Sequence, residues 1–182
     1  MALLAETLVE EWLNRAGFFT MRGVRFGVSE MDLLAVRPGE IGLEARHIEV
    51  QVSTNPVAYI SPLTNAQSKS LGKAKTSAWA RPEDVLRDSV AAWVEKKFRS
   101  PKKVKARNNA WPELEWKLEF VHGDVRHPNE LKLIRECGIT THTFHSLLDS
   151  LCSAAGGAHK GGAGTDIAEI LGYYIKHRVG AR

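Results

Sequence analysis

The chain has 182 residues, 43% of them hydrophobic and 25% charged, with a formal charge of +4. That apolar fraction suits one sizeable core and excludes a largely disordered protein, and no apolar run approaches the roughly 18–20 residues of a membrane helix. Two cysteines without a CxxC pair exclude a disulfide framework or a cysteine zinc site, and with early acids and no basic leader they fit a reducing, cytoplasmic setting.

In chain order, Leu4, Leu8 and Trp12, with Ala5, Val9, Leu13 and Ala16, recur at helical spacing and predict a helix over 3–16, stopped by Gly17. Residues 18–26 read as an extended run interrupted by Gly23, and Met31 to Val36 as a short apolar strand before the turn signal Arg37-Pro38-Gly39-Glu40. His47 to Ser53 alternates, with Ile48, Val50 and Val52 on one face and Glu49 and Gln51 on the other. Pro56 and Pro62 break up the next stretch, and Gln67 to Trp79 reads as a basic helix or an ordered loop. Pro82 then opens a helix to about Phe98, striped by Leu86, Val90, Trp93 and Val94. A strand over 115–121, a helix over 129–136, a strand over 139–144 and a helix over 146–152 complete a mixed α/β sandwich around one sheet. The Gly/Ala-rich stretch 153–164 reads as a linker, and 165–182 as an appended amphipathic helix that docks on the domain 1–152 or on a partner.

The charge is unevenly spread. Residues 96–107 read KKFRSPKKVKAR, with seven basic positions and no acid, and the remainder holds 18 basic against 21 acidic residues. Such a segment is the footprint of a chain that touches phosphates, the plain alternative being a solvated loop. Its nucleic-acid-binding candidates are Lys96, Lys97, Arg99, Lys102, Lys103, Lys105 and Arg107, with Lys69, Lys73 and Lys75 upstream. Trp111, in a loop beside Asn109 and Pro112, is the best candidate to stack on a base, whereas Trp93 and Trp116 suit the core. His142 and His145 read as structural, having no acidic or cysteine partner in the sequence pattern.

Three acids fall on neighbouring elements: Glu6 on the first helix, Asp32 on the second strand and Glu49 on the third. A hairpin turn centred between Ile41 and Gly42 sets Asp32 opposite Gln51, and a small shift sets it opposite Glu49. Cross-strand carboxylates about 5 Å apart, with the Val50 carbonyl, offer the oxygen donors that magnesium prefers. The plain alternative is a pair of strand-edge acids facing water.

Taken together, Glu6-Thr-Leu-Val-Glu-Glu-Trp-Leu, Ser29-Glu30-Met31-Asp32-Leu33-Leu34-Ala35-Val36 and Ile48-Glu49-Val50-Gln51-Val52 resemble, in order and spacing, the PD-(D/E)XK nuclease superfamily. The nearest flavour is that of archaeal Holliday-junction resolvases and Mrr-like restriction endonucleases, over about residues 3–100. The resemblance implies a restriction-endonuclease-like α-β-β-β-α-β core and a metal-dependent endonuclease that hydrolyses DNA with activated water. It further implies Mg2+, or Mn2+ in its place, on Asp32 and Glu49, with Glu6 in support, and a homodimer if two strands are to be cut. Gln51 stands where the family carries lysine, and a neutral amide cannot transfer a proton at ordinary pH. Glutamine orients the water, or a lysine among Lys69, Lys73 and Lys75 reaches in, or the site is dead and the chain is a binding module. An RNA-processing nuclease would share the same residues.

Overall fold

The computed structural model describes residues 2–27, 29–153 and 163–179. Helix α1 (Ala2–Arg15) forms where the apolar spacing predicts it and buries Ala5, Leu8, Val9 and Leu13. Strands β1 (Phe19–Phe26), β2 (Ser29–Pro38) and β3 (Leu43–Gln51) make an antiparallel meander. Strand β4 (Trp116–His122) then joins β3 in parallel, and β5 (Thr140–Thr143) joins β4 in parallel. The sheet order β1-β2-β3-β4-β5 therefore places β3 at the centre, with a neighbour on each edge.

Helices cover both faces. On one side α1, α6 (Phe144–Ser153) and α7 (Ala163–Val179) pack on Leu33, Ala35, Ile48, Val50 and Val121. On the other, α3 (Glu83–Val94) and α5 (Asn129–Glu136) enclose Phe98 and Phe120 with Val90, Trp93, Val94, Ile134 and Ile139. The chain is thus an α/β protein built on a mixed central sheet flanked by helices, as its sequence pattern predicts. Helix α7 docks on its own domain: Ala168 enters the first core, and the Thr165 hydroxyl donates to Glu11 Oε1 at 3.0 Å. Residues 154–162, most of the expected linker, lie outside the described residues.

The long β3–β4 connection departs from expectation. It holds the short helix α2 (Asn65–Leu71), capped by Thr64 and Gln67, and then α3. The expected single helix to Phe98 gives way after Val94 to a π-helical turn, Glu95–Arg99, and the basic segment then coils into α4 (Pro101–Ala110) rather than a loop. Apolar periodicity could not find α4, because the residues it turns inward are Lys103 and Arg107.

One irregular stretch of this connection is held rigidly. The buried carboxylate of Glu130 accepts from the backbone N–H groups of Ile60 and Ser61, each at 2.7 Å, and from the Ser61 hydroxyl. Val57 donates to the Asp124 carbonyl and accepts from Arg126. Glu130→Leu would strand two buried N–H donors, so thermal or urea unfolding is expected to show a loss of about 3 kcal/mol.

Candidate functional site

The site begins at the point where β2 and β3 part. Their ladder runs from Pro38↔Leu43 to Leu33↔Ile48, which centres the turn between Glu40 and Ile41. Of the two registers open to the sequence, this is the one whose continuation sets Asp32 across from Glu49. There the ladder ends, and Asp32 Oδ2 instead accepts the Val50 N–H at 2.7 Å. A strand residue points its N–H and its carbonyl to the same edge. The Val50 carbonyl therefore faces the gap beside Asp32.

Glu49 is 1% exposed, and every donor around it comes from the chain itself. Lys97 Nζ lies 2.7 Å from Oε2, while Lys103 Nζ and His47 Nε2, the latter at 3.0 Å, share Oε1. Behind His47, Arg107 donates from Nη1 to the imidazole Nδ1 at 2.8 Å and to the Phe98 carbonyl at 2.7 Å. A guanidinium can only donate, so Nδ1 accepts and the ring proton sits on Nε2, where it donates to Glu49. The fully buried Phe98 ring packs on His47 at 5.2 Å. The π-helical turn thus directs Lys97 and Phe98 onto the sheet together, and the i, i+4 spacing of Lys103 and Arg107 sets both on one face of α4.

The electrostatics of the two carboxyls diverge. Burial pushes Asp32 up to about 6, reinforced by the charge of Glu49 and opposed by Lys97 and the Val50 hydrogen bond. Burial works the same way on Glu49, but the hydrogen bond from His47 and the charges of Lys97 and Lys103 outweigh it and hold the carboxyl at about 2. Burial lowers His47 and keeps it neutral, in accord with its tautomer. Burial also disfavours the Lys97 ammonium, yet Glu49, Asp32 and Glu6 together raise it above its ordinary range. Burial raises Glu6, partly offset by Arg22, and the charges of Glu49 and Lys97 reach it from the same centre.

The basic residues therefore divide into two groups. Lys103 and Arg107, expected to grip phosphate, are buried against Glu49 and His47 and cannot do so. Lys97, expected in the same role, is partly exposed and belongs to the acidic centre. Lys69, Lys73 and Lys75, the expected substitutes for a lysine at position 51, make no ion pair with Glu49, and the side chain of Lys73 lies over the Trp79 ring. Lys96, Arg99, Lys102 and Lys105 remain exposed, as do Lys69, Lys73 and Lys75. The sequence carries no signal for the Lys97–Glu49 pair beyond the density of lysines after Trp93. His142 and His145 do have acidic partners, Glu119 at 3.0 Å and Asp149 at 3.5 Å, contrary to expectation. Trp93 is core, as expected, whereas Trp116, expected there too, is only half-buried and meets Trp111 at 6.4 Å.

Among the described residues no cluster of three His, Cys, Asp or Glu side chains suits a metal ion. The expected donor set is of another kind, two carboxylates and one backbone carbonyl. Its oxygens fit a hard divalent cation: the second oxygen of Asp32 takes no hydrogen bond from the described residues, and the Val50 carbonyl faces the same gap. Glu49 Oε1 is taken by Lys103 and His47, whereas Oε2 accepts only from the partly exposed Lys97 among the described residues and keeps a further lone pair for a cation.

Lys97 also opens to a cleft of about 410 Å³, lined by Gln51, Pro62, Asn65, Lys75, Trp93 and Lys96 among others. The partly exposed Lys97 ammonium and the neutral Gln51 amide thus share the wall of this cleft, and through Lys97 the wall connects to the buried Glu49 carboxylate. Such a set can neutralise a phosphate and orient a water beside it.

No protein-family model matches the chain, and no curated protein does. Among solved structures, the crystal structure of a protein of unknown function, AF1548, superposes with a TM-score of 0.47 at 12% identity, covering 100% of both chains. A likeness of that order carries no argument about fold or function.

Proposed function

We propose that the chain is a metal-dependent endonuclease of the PD-(D/E)XK kind, a cytoplasmic protein that hydrolyses DNA phosphodiester bonds with Mg2+ or, in its place, Mn2+. The observation that carries this reading is the Lys97 ammonium, 2.7 Å from Glu49 Oε2 and in the field of Asp32. It supplies, from a helical turn, the cation that Gln51 cannot be. Asp32, Glu49 and the Val50 carbonyl would hold the metal, whose chemistry there is Lewis-acid stabilisation of charge on the phosphate.

The remaining work falls to the chain. Lys97 Nζ would donate to a phosphate oxygen or to the attacking water, and the Gln51 amide, at the same cleft wall, would orient that water. His47 and Lys103 hold Glu49 ionised and fixed in place, and Arg107 fixes His47. They are positioning residues. The exposed Lys96, Arg99, Lys102 and Lys105 would meet the DNA backbone without reading sequence. Cutting both strands would take two copies of the chain.

The test is incubation of the purified protein with supercoiled, linear and branched DNA in Mg2+ or Mn2+, beside Asp32→Ala. Wild type is expected to nick or cut at least one substrate. Asp32→Ala is expected to cut none while still shifting DNA on a gel. If wild type shifts DNA but leaves every substrate intact, the chain is a binding module on this scaffold. Cleavage confined to RNA substrates would move the reading to an RNA nuclease.

A further inference from the structure

Beside the cleft of Lys97 lies a second cavity, of about 440 Å³, lined by Gln51, Tyr59, Ser61, Lys75 and Arg81 among others. That volume is within the range of small-ligand sites. Gln51 and Lys75 border both spaces. The wall is unusually well fixed for a segment with no regular structure. Glu130 clamps the backbone at Ile60 and Ser61, and the Tyr59 ring stacks on His127 at 4.5 Å and meets the Arg81 guanidinium at 3.9 Å.

Arg81 is the unexplained group. Its Nη1 donates to the Ser61 carbonyl at 2.7 Å, but Nε and Nη2 are buried with no hydrogen-bond partner among the described residues. A guanidinium offers five N–H donors and accepts nothing, so these nitrogens call for an acceptor that the described residues do not provide. Glu130, the carboxylate whose charge acts on Arg81, already accepts three hydrogen bonds from residues 60 and 61. Arg81 and the exposed Lys75 both line the cavity, so an acceptor seated there meets the two together once the guanidinium turns its buried edge outward, and Val57, Ala58, Ile60 and Pro62 give the same space an apolar side.

We infer that this cavity seats one nucleotide of the bound strand, its phosphate on Arg81 and Lys75, its base against the apolar wall, and the Gln51 amide between it and the acidic centre. The inference rests on the reading of the chain as a nuclease for naming a nucleic-acid strand. It gives Gln51 a second role, because an amide both donates and accepts and so can meet a base edge, whereas a lysine there would only donate.

Isothermal titration of the full-length chain in chelator, with deoxyadenosine 5′-monophosphate, deoxycytidine 5′-monophosphate and inorganic phosphate, tests it. At least one nucleotide is expected to bind about tenfold more tightly than inorganic phosphate, because only a nucleotide also covers the apolar wall. Arg81→Lys should weaken that binding about tenfold, since an ammonium cannot replace the planar fork. Lys75→Glu, at an exposed position that leaves the fold intact, should weaken it by a similar factor. The inference fails if no nucleotide binds at millimolar concentration, if phosphate binds as tightly as the nucleotides, or if Lys75→Glu leaves binding unchanged. Metal-free binding and cleavage are read separately. A protein that binds nucleotides and cuts nothing loses the nuclease reading alone, and one that cuts but binds none loses this inference alone.

Discussion

On the proposed nuclease function, Lys97→Ala is expected to slow DNA cleavage about a thousandfold under single-turnover conditions, while DNA affinity stays within a few-fold of wild type. The side chain lies 2.7 Å from Glu49 Oε2 and opens to the cleft, so on the proposed reading its loss would remove the cation placed to meet a phosphate there. The fold should survive, because Lys103 and His47 still donate to the buried Glu49 carboxylate. Gln51→Ala should cost far less, about tenfold, since an orienting amide is partly replaced by water. Equal rates for Lys97→Ala and wild type would remove Lys97 from the chemistry. An equally severe loss in DNA affinity would make it a backbone contact instead. The melting temperature of each variant separates both outcomes from simple unfolding.

Glu49→Gln and Asp32→Asn are expected to shift metal-free stability in opposite directions. Glu49 is held at about 2, well below its ordinary 4.5. Its ionised form therefore contributes stability above pH 4.5, lost as pH falls through that window toward 2. The amide variant loses that contribution at neutral pH and leaves the buried Lys103 and the partly buried Lys97 without their counter-charge, a cost of about 3–5 kcal/mol. Asp32 is the reverse case, raised from 3.8 to about 6. The folded protein binds that proton more tightly than the unfolded chain does. Stability is then greatest below pH 3.8 and falls as pH rises to about 6, where the loss is complete.

Asp32→Asn keeps an oxygen for the Val50 N–H without the charge, so it should stabilise the metal-free protein at pH 7 by about 1–2 kcal/mol, with the gain gone near pH 4. Urea unfolding in chelator from pH 4 to 8 reads both signs. A destabilised Asp32→Asn at pH 7 would place Asp32 in a favourable ion pair rather than in a strained acidic pair. Adding millimolar Mg2+ should raise the stability of wild type and not of Asp32→Asn, because a ligand that binds only the folded state stabilises it by mass action.

Much of the framework was legible in local pattern. The apolar spacing of Leu4, Leu8 and Trp12 marks α1, and Asn129–Glu136 appears with the bounds its pattern predicts. The alternation of His47 to Val52 separates the Ile48–Val50 face from the Glu49–Gln51 face, and the structure turns these toward opposite helical layers. These features follow from side-chain period, which neighbouring residues determine. The hairpin register was open between two values, because the turn residues Gly39, Glu40, Ile41 and Gly42 allow either centre.

By itself, then, the sequence determined the α/β class, the strands that carry Asp32 and Glu49, and the concentration of positive charge at residues 96–107. Only the tertiary structure decided what that charge does. Lys103 and Arg107 turn inward to a buried carboxylate and its histidine, Lys97 joins them at the cleft, and Lys96, Arg99, Lys102 and Lys105 face water. The physical reason is that a lysine's role depends on the nearest counter-charge in space. For Lys97 that counter-charge is Glu49, 48 residues away in the chain, brought close by a π-helical turn that no apolar period announces.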